Sequence, residues 1–321
     1  MSKTVLRRII ILIPQMIILS LALFFLASLM PGDAISGLLG HYASPEEVQA
    51  MRDLHGDGGT WIERYAHWLS GIVRGDFGRS VLHNRPVMDL LGERIFNTVR
   101  LSFLGLVLSL SIAFPLGIIS ARYAGKLPDK SILLYCFAAQ AMPIVALCII
   151  AIWVFALNLG WFPRGGSVDV LIPPTETVRI FFSRLHHLML PALVSAILNN
   201  LFTIYTLRAQ ILDNSSSAYV TTARSKGVPT NVIYRKHIMR NSLLPFAQGF
   251  PMMFIGLITG SVFVEQLFAY PGMGNLLVTS LNGRDFTVVN AIVIINGFLI
   301  VLGILAGDII LSLVDPRIKV K

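Results

Sequence analysis

Charged side chains are scarce in this sequence. Asp, Glu, Lys and Arg make up 13% of the 321 residues, whereas 55% are hydrophobic and the mean hydropathy is +0.71. A soluble domain carries about 25% charged residues. The scarcity of charge therefore excludes an ordinary soluble domain and indicates a membrane protein.

Cysteine is nearly absent as well, with Cys136 and Cys148 as the only two. Both fall in one apolar run, and in a helix the 12 positions between them span about 18 Å. That distance is far beyond the reach of a disulfide. We expect both cysteines to be packing residues, and they say little about the redox compartment.

Motifs of catalysis and cofactor binding are also missing. The sequence has no G-x-x-x-x-G-K-[ST] loop to hold the phosphates of ATP, and no nucleophile or metal motif. The adjacent His186 and His187 come nearest to a metal pattern, but neighbouring helical side chains point about 100° apart and no third ligand accompanies them. We therefore expect no enzyme activity, no metal and no cofactor in this chain, and interfacial positions for the two histidines.

Long uncharged runs are what the sequence does contain. Six of them reach the roughly 20 residues that a helix needs to cross a bilayer: residues 9–32, 101–121, 131–163, 188–207, 242–264 and 286–307. The first run is too long for a signal-peptide core and lacks a convincing cleavage site, so we expect it to be retained. The predicted fold class is an all-α membrane protein with six transmembrane helices.

The basic residues are divided unevenly between the two sides that six spans define. All seven lysines, and 15 of the 26 basic residues, fall on the side of the termini, where only four acids oppose them: Asp129, Asp213, Asp308 and Asp315. The other side has 11 arginines and 13 acids. Because Lys and Arg concentrate in cytoplasmic loops, both termini are predicted to be cytoplasmic. This asymmetry explains the net charge of +9 without a nucleic-acid partner.

The spans divide the chain into four predicted parts. These are an N-terminus with the first helix (1–31), an extracytoplasmic segment (32–98), a five-helix core (99–314) that contains a cytoplasmic loop (211–245), and a cytoplasmic tail (315–321).

Three local features are predicted in the extracytoplasmic segment. An N-cap serine and a following proline predict a helix over 44–54, and the glycine-rich residues 56–59 predict a turn. Residues 61–73 predict an amphipathic helix with one face made by Trp61, Tyr65, Trp68 and Ile72. We expect this face at the membrane interface or packed within the protein, in preference to an external partner.

A polar, basic stretch at residues 218–246, which we call the prong, interrupts the apolar sequence between the fourth and fifth spans. Residues 214–217 offer N-caps to a helix over 219–226, and Gly227 is placed to end it. Pro229 fits the first turn of a second helix. The prong is therefore predicted to be two short helices joined at a glycine corner, a rigid shape suited to docking on another protein.

At the prong, the chain resembles the membrane permeases of ATP-binding-cassette importers. Their cytoplasmic loop has an alanine-rich segment, then a glycine, then a proline after a further helix. Here these positions read Thr221-Thr222-Ala223, Gly227 and Leu244-Pro245. The glutamate that opens the general family motif is missing, but the form Y-V-x-T-A-R-x-K-G resembles the oligopeptide, dipeptide and nickel branch.

Three further stretches resemble the same family in chain order. They are RGDFGRS at 74–80, VEQLFAYPGMG with RDF between 264 and 286, and DPR at 315–317. The RGD tripeptide also resembles an adhesion motif, but its flanks fit the permease pattern, in which the segment leads the chain back to the membrane. The resemblance covers nearly the whole chain and implies the fold of a type I importer permease.

The resemblance also implies partners and a location. The chain would be one of two homologous permeases in a bacterial plasma membrane, surrounded by lipid, with an extracellular or periplasmic binding protein that delivers the substrate. Two separate ATPase subunits would bind ATP and Mg and dock on the prong, at Tyr219, Thr221, Thr222, Ala223, Lys226, Gly227 and Pro245. The implied cargo is peptide, with nickel or another small solute as the runner-up.

Six polar residues outside the prong are candidates for a gate or the transport pathway: Gln140, Asn199, Asn200, Glu265, Arg284 and Asp285. Gln140 and the two asparagines are equally suited to hydrogen bonds between helices. Glu265 is an acid at the outer end of the fifth span. Because an ionisable side chain at membrane depth is energetically unfavourable, it is a candidate for a function. The alternative is a structural role, in which it forms hydrogen bonds to nearby backbone. In the same span, Gly256 and Gly260 have the spacing of close helix contact.

An ATP-independent secondary transporter is the other class of function considered. Such proteins are built from internal repeats around a site at the bilayer midplane. The chain has no convincing repeat and no strongly charged residue near the middle of a predicted span. A non-transporting scaffold leaves the four ordered resemblances unexplained, so the permease subunit of an ATP-driven importer is the predicted function.

Overall fold

The computed structural model of the protein describes residues 2–29 and 60–314. These residues form helices and connecting turns, with one isolated β-bridge between Arg79 and Pro86. In chain order the helices are α1 Ser2–Leu29, α2 Trp61–Val73, α3 Val87–Arg122, α4 Leu127–Ala141, α5 Ile144–Ala151 with its π-helical continuation Ile152–Asn158, α6 Thr177–Ser215, α7 Ala218–Ser225, α8 in three contiguous pieces (Thr230–Val232, the π-helical Ile233–Ile238 and Met239–Ser242), α9 Leu244–Thr259, α10 Val262–Leu267, α11 Met273–Asn282 and α12 Phe286–Val314. The features predicted at 44–54, 56–59 and 315–321 lie outside the described residues.

Several helices have the length and composition of membrane spans. Within the described residues, α3, α6 and the part Phe286–Gly307 of α12 are each long and apolar enough to cross a bilayer unbroken, and α4 with α5 makes a fourth unit that is bent by 99°. Shorter apolar stretches occupy Leu12–Leu26 and Ile255–Leu267. The all-helical membrane class is confirmed, but two of the six predicted spans are not single helices.

The third predicted span, residues 131–163, is interrupted at Met142 and Pro143. Helix α4 ends where Met142 adopts an extended conformation, with φ −88° and ψ 121°. Proline disfavours the helical conformation in the residue before it and has no N–H to donate. The chain therefore turns by 99° between α4 and α5 instead of tilting as one long helix.

The fifth predicted span, residues 242–264, is interrupted at Gly260. This glycine has φ +62° and ψ −167°, a conformation that is essentially restricted to glycine. A Cβ added there would meet Thr98 Cγ2 at 2.5 Å, whereas one added to Gly256 would meet no atom within 4 Å. The GLITG pattern is therefore a helix break beside α3, and its two glycines do not form one helix-packing face in the described chain.

Helices α3 and α6 start earlier than the spans predicted within them. The first begins at Val87, so the domain boundary predicted at residue 98 falls inside a continuous helix, and the second begins at Thr177.

His186 and His187 lie in α6, where their ring nitrogens bond to the carbonyl oxygens of Trp161 and Ser183 at 2.7 and 2.8 Å. Among the described residues, no group of three or more His, Cys, Asp and Glu side chains could hold a metal ion.

Helices α3 and α6 run parallel and in close contact along a row of small residues. Gly105, Ser109, Ala113 and Gly117, spaced four apart on α3, are all buried. A Cβ on Gly105 would lie 3.4 Å from Ser195 Cβ, and one on Gly117 would lie 3.1 Å from the Leu207 side chain. Small residues let helix backbones approach closely in a membrane, where packing drives helix association.

An aromatic cluster joins α1 to α2. The ring of Phe24 lies 5.4–5.5 Å from the rings of Trp61, Tyr65 and Trp68, and the hydroxyls of Ser20 and Tyr65 are 2.8 Å apart. Thr60 and Glu63 form a capping box that fixes the start of α2, as [ST]-x-x-E sequences do. Of the alternatives open for this aromatic face, the structure supports packing within the protein.

We expect Gly117→Val to lower the free energy of unfolding by about 1–3 kcal/mol, because the added side chain would be forced against Leu207. The matched control is Gly92→Val in the same helix, where an added Cβ meets no atom within 4 Å. The measurement is the thermal midpoint of the detergent-purified protein. Equal midpoints for the two variants would contradict the close contact between α3 and α6.

Candidate functional site

The prong consists of two short helices, α7 and α8, and the first residues of α9. Helix α7 covers Ala218–Ser225, within one residue of the prediction, and Ser217 stands at its N-cap position. The Ser217 hydroxyl donates to the Asp213 carbonyl at 3.2 Å, so it does not cap α7. Pro229 immediately precedes α8, and its carbonyl accepts the N–H groups of Val232 and Ile233.

Gly227 forms the corner between the two helices. Its φ is +73°, and its N–H donates to the Arg224 carbonyl at 2.9 Å while the Val228 N–H donates to the Ala223 carbonyl at 3.2 Å. These two bonds are the Schellman pattern that ends a helix with a left-handed residue. A Cβ on Gly227 would meet nothing within 4 Å, so the backbone conformation and not crowding favours glycine here.

An apolar base fixes the prong to the ends of α3 and α6. We call it the root: the buried residues Ala121, Leu207, Ile211, Val220, Ala223, Ile233 and Ile238. Tyr234 packs beside it, and burial raises the pKa of the Tyr234 hydroxyl. Close-packed interiors transmit strain. We therefore expect a movement of the prong to be passed through this apolar contact to α3 and α6.

Hydrogen bonds around Asn214 add to the root. The Tyr219 hydroxyl donates to Asn214 Oδ1 at 2.7 Å, and Asn214 Nδ2 donates to the Ser242 hydroxyl oxygen at 3.3 Å. Ser242 is fully buried and donates to the Gln210 or the Ile238 carbonyl. Both prong helices are therefore bonded to the last turn of α6.

The outer surface of the prong is mostly polar or basic, and the predicted docking residues lie partly on it and partly beneath it. The exposed polar and basic residues of the prong include Thr221, Thr222, Arg224, Lys226, Thr230, Asn231, Arg235, Lys236, His237 and Arg240. Ala223 is only 9% exposed, and Tyr219 is held at its hydroxyl by Asn214. Pro245 is half-buried in the first turn of α9. Thr221, Thr222, Lys226 and Gly227 are thus open to a partner, whereas Ala223 belongs to the root.

Glu265 lies at the opposite end of the molecule from the prong and is completely buried. Its Oε1 accepts from the Thr98 hydroxyl at 2.8 Å, and its Oε2 accepts from the backbone N–H groups of Gly274 and Asn275 at 2.7 and 3.2 Å. These N–H groups belong to the first turn of α11, where a negative charge is favourable. The carboxylate therefore links α10 to α11 and α3. Of the two roles considered for Glu265 from the sequence, these contacts support the structural one.

Three glycines make room for the Glu265 carboxylate. An added Cβ on Gly272 would overlap its oxygens, one on Gly260 would lie 2.7 Å from Oε1, and one on Gly274 would lie 3.1 Å from Oε2. Close approach to the buried carboxylate thus explains Gly272, whereas an added Cβ on Gly274 would come nearer still to Val262 Cα, at 2.6 Å. Thr98 closes the site, since its hydroxyl oxygen also accepts the Met273 N–H at 2.7 Å.

Asp285 has a similar role at the start of α12. It is fully buried, and its Oδ1 accepts from the Val288 N–H at 3.4 Å, which places it as the N-cap. Its Oδ2 accepts from the Ser80 hydroxyl at 2.5 Å and the Leu82 N–H at 3.1 Å. Asp285 thereby attaches the RGDFGRS segment to α12, in agreement with a structural role for that segment.

Arg284 stands beside Asp285 but is exposed. It has φ +58°, and its N–H donates to the Leu281 carbonyl while the Asp285 N–H donates to the Ser280 carbonyl. An arginine therefore occupies the left-handed position that ends α11. A non-glycine residue in this conformation is uncommon, and its side chain is directed to the surface.

The remaining pathway candidates lie on α4 and α6. Asn200 is buried and exchanges hydrogen bonds with the Tyr135 hydroxyl at 3.1 and 3.3 Å, so it links the two helices. Asn199 and Gln140 are exposed in the described chain, and Gln140 lies two positions before the break at Met142. Irregular backbone at membrane depth is tolerated where it is buried or lines a polar cavity, which keeps Gln140 and Asn199 as pathway candidates.

Sequence reasoning missed the partners of these acids. Asp285 directly precedes an apolar run, so the N-cap rule could have identified its capping role, although it was predicted only as a gate or pathway candidate. Thr98 and Ser80, however, lie 167 and 205 positions from the acids that they bond. No local pattern identifies such partners, because tertiary packing brings them together.

The fold matches a known class of transporter. Over 71% of this chain and 97% of the other, it is similar to the MetNI methionine ABC transporter in an inward-facing conformation, with a TM-score of 0.55 and 16% sequence identity. A second crystal form of that transporter gives a TM-score of 0.54 at 17% identity. At these identities, the likeness concerns the fold alone.

Two family models match the sequence. The model described as "Binding-protein-dependent transport system inner membrane component" matches residues 113–320, and the model of the corresponding N-terminal part matches residues 1–102. The chain therefore belongs to the family of inner-membrane permeases of binding-protein-dependent ABC transport systems. Such a permease is a multi-pass membrane subunit, is not itself an enzyme, and works with ATPase and binding-protein partners.

Curated relatives match over the full length. The chain is 36% identical to the oligopeptide transport system permease protein AppB of Bacillus subtilis (strain 168), over 99% of this chain and 100% of that protein. It is 32% identical to a putative peptide transport system permease protein of Brucella abortus (strain 2308), over 99% of each. It is 30% identical to the glutathione transport system permease protein GsiC of Escherichia coli (strain K12), over 100% of each.

We expect Gly272→Ala to destabilise the protein, because the new Cβ would overlap the Glu265 carboxylate. This loss should shrink in a Glu265→Ala background, giving a coupling energy of about 0.5–3 kcal/mol in a double-mutant cycle. The four proteins of the cycle are compared by thermal unfolding.

The control for this cycle is Gly256→Ala, where an added Cβ meets no atom within 4 Å. It should be neutral in both backgrounds. Additive effects of Gly272→Ala and Glu265→Ala would contradict the contact between the glycine and the carboxylate.

Proposed function

We propose that this permease imports peptides. Its full-length similarity to permeases named for oligopeptide, peptide and glutathione transport is the observation that carries the proposal. Glutathione is itself a short peptide, so the three names share one chemical class of cargo. Nickel or another small solute is the alternative within the family, and the cargo experiment below distinguishes them.

The prong is the proposed docking element for the ATPase subunits. Its outer surface is polar and basic, while its inner surface is the root on α3 and α6. Thr221, Thr222 and Lys226 are proposed to contact the ATPase, and Gly227 sets the angle between the helices that present them. Tyr219 is exposed beside this surface and is held by Asn214, and Ala223 and Pro245 support the surface from below.

The transport path is proposed to run between this chain and a second, homologous permease. Gln140 at the α4–α5 bend and Asn199 on α6 are polar side chains exposed on the apolar helices, and they support this assignment. Asn200, Glu265 and Asp285 hold helices together in this conformation. Arg284 lies on the surface at the end opposite the prong, where a binding protein would deliver its cargo.

The proposed topology has the prong and both termini in the cytoplasm. Six crossings result if α1, α3, α6 and α12 each cross once and if the bent pair α4–α5 and the broken pair α9–α10 each cross once. The concentration of lysines on the prong side supports this orientation. Two ATPase subunits would bind ATP and Mg there, and their closure would bias the permeases between two states.

Gly227→Val should leave a membrane-inserted protein that couples poorly to its ATPase subunits. A β-branched residue in the left-handed conformation is strained by about 1–2 kcal/mol, and relief of that strain would re-aim α8. The measurements are recovery of ATPase subunits with the purified complex and substrate-stimulated ATP hydrolysis.

The control is Gly160→Val, which also has a positive φ (+64°) and open space around its Cβ but lies far from the prong. It should keep normal recovery and stimulation. The prong would not be the docking element if both variants assembled, hydrolysed ATP and imported substrate like the unmutated protein.

Cells that lack this permease should fail to grow on short peptides as the sole source of a required amino acid, while the free amino acid restores growth. Growth is measured in a strain without a redundant peptide importer. Normal growth on peptides together with loss of a nickel-dependent enzyme activity would exclude the peptide assignment and favour nickel.

A further inference from the structure

An ion pair between a buried carboxylate and a partly exposed arginine lies at the prong end of the helix bundle. The Asp129 carboxylate, in the first turn of α4, is 1% exposed. Its Oδ1 and Oδ2 accept from Arg208 Nε and Nη2, each at 2.8 Å. Oδ1 also accepts from the Ser120 hydroxyl at 2.5 Å, and Oδ2 from the Gly125 N–H at 2.7 Å. We call these four residues the clamp.

The clamp joins three helices at one level. Ser120 belongs to the last turn of α3, Asp129 to the start of α4, and Arg208 to α6. Gly125 lies in the connecting turn and has φ +77°, a conformation that suits glycine. The two-pronged Arg–carboxylate contact fixes direction as well as distance, so the start of α4 is held in one orientation against α6.

The clamp directly adjoins the root of the prong. Ser120 is followed in sequence by Ala121, and Arg208 is preceded by Leu207; both neighbours are root residues. The same turns of α3 and α6 therefore bear the prong on one surface and hold Asp129 on another. A displacement of the prong that moves these turns must act on the clamp.

A second polar contact holds the same two helices farther along. Tyr135 of α4 bonds Asn200 of α6, and the six residues from Asp129 to Tyr135 span about 9 Å of helix. Beyond these contacts, α4 ends at Met142, where the chain bends by 99° into α5. Two polar contacts, less than two helical turns apart, thus fasten α4 to α6 between Asp129 and Tyr135.

We propose that the clamp is the joint through which the prong moves the bent α4–α5 span. With the clamp closed, α4 follows α6 as one body, and movement of the prong reaches the bend beside Gln140. An ion pair removed from water is often no more stable than well-packed apolar residues in its place. We therefore assign to this largely buried pair a contribution through the fixed geometry between α4 and α6. This inference rests on the proposed coupling role of the prong.

The first test measures transport per ATP hydrolysed in the complete reconstituted transporter. Asp129→Asn retains the shape of the side chain but removes the charge that pairs with Arg208. We expect ATPase subunits to assemble normally, because the root is unchanged, and uptake per ATP to fall by about tenfold, equivalent to about 1.4 kcal/mol. A purely structural role would lower recovery of the complex and leave uptake per ATP in the recovered complex unchanged.

Two milder variants and one control accompany Asp129→Asn. Ser120→Ala removes one of the bonds to the carboxylate, and Arg208→Lys keeps the charge but loses the two-pronged contact; uptake per ATP should fall less in each, and least in Ser120→Ala. The control is Glu93→Gln, which removes the same charge from the exposed pair Arg85–Glu93 and should change nothing. If Asp129→Asn does not assemble, Arg208→Lys decides, and normal uptake per ATP in Arg208→Lys would overturn the proposal.

The second test measures a distance between α4 and α6. Spin labels are placed at Leu134 and Ala209, which are exposed, with Cys136 and Cys148 replaced by alanine. In the otherwise unmutated complex, the distance distribution should be the same with and without trapped ATP, because the two helices move together. With Asp129→Asn or Arg208→Lys it should broaden or shift when ATP is trapped.

The outcomes separate the clamp from the proposed cargo. A distance that stays the same with ATP in both clamp variants would overturn the proposal, as would an ATP-dependent change already present with the clamp intact. The distance measurement requires nucleotide and no cargo, so it decides the role of the clamp even if the unmutated transporter takes up no peptide. In that case the peptide assignment alone would fail.

Discussion

Backbone groups at helix ends need hydrogen-bond partners, and a bilayer core supplies none. This constraint governs the arrangement at the starts of α11 and α12. Where α11 begins, after the short helix α10 that follows the break at Gly260, the buried Glu265 accepts from two backbone N–H groups. Where α12 begins, Asp285 accepts from the Val288 N–H. At these two helix starts a buried acid accepts backbone N–H groups, and Gly272 leaves space for the Glu265 carboxylate.

Glu265, Asp285 and Asp129 are buried acids that are each held by several hydrogen-bond donors, but the kind of donor differs between the two ends of the molecule. Glu265 and Asp285, at the end opposite the prong, are stabilised by helix N-termini and hydroxyl groups, and no arginine in the part of the chain that the structure describes is hydrogen-bonded to them. Asp129, at the prong end, is neutralised by the guanidinium of Arg208. A hydroxyl donor accompanies each acid: Thr98, Ser80 and Ser120. Because removal of one member of such a buried group leaves the others unpaired, each group fixes the relative positions of elements that are distant in sequence.

Between these two ends, the close pair α3 and α6 is the mechanical centre of the protein. Its row of small residues brings the helices together, and both the root of the prong and the clamp are built on its last turns. An ATP-driven permease needs a stiff connection between the subunit that hydrolyses ATP and the spans that open. In this chain the closely packed pair α3 and α6 is the stiff part. The apolar helices are interrupted elsewhere, at Met142 and at Gly260.

The sequence determined the membrane class, the prong with its corner at Gly227, the helix at Trp61–Val73 and the family, since these depend on hydrophobic run length, local capping and short motifs. It did not determine that the third and fifth spans are broken, although Pro143 and Gly260 were visible, because both residues are also tolerated within membrane helices. It offered Glu265 and Asp285 as pathway candidates, and only the tertiary structure placed Thr98 and Ser80 against them. From the sequence, Asp129 was only one of four acids on the basic, predicted cytoplasmic side, and its partner could not be identified. The tertiary structure places Arg208 2.8 Å from it. Local patterns are read from neighbouring residues, whereas the partner of a buried charge is chosen by the packing of helices that lie far apart in the chain.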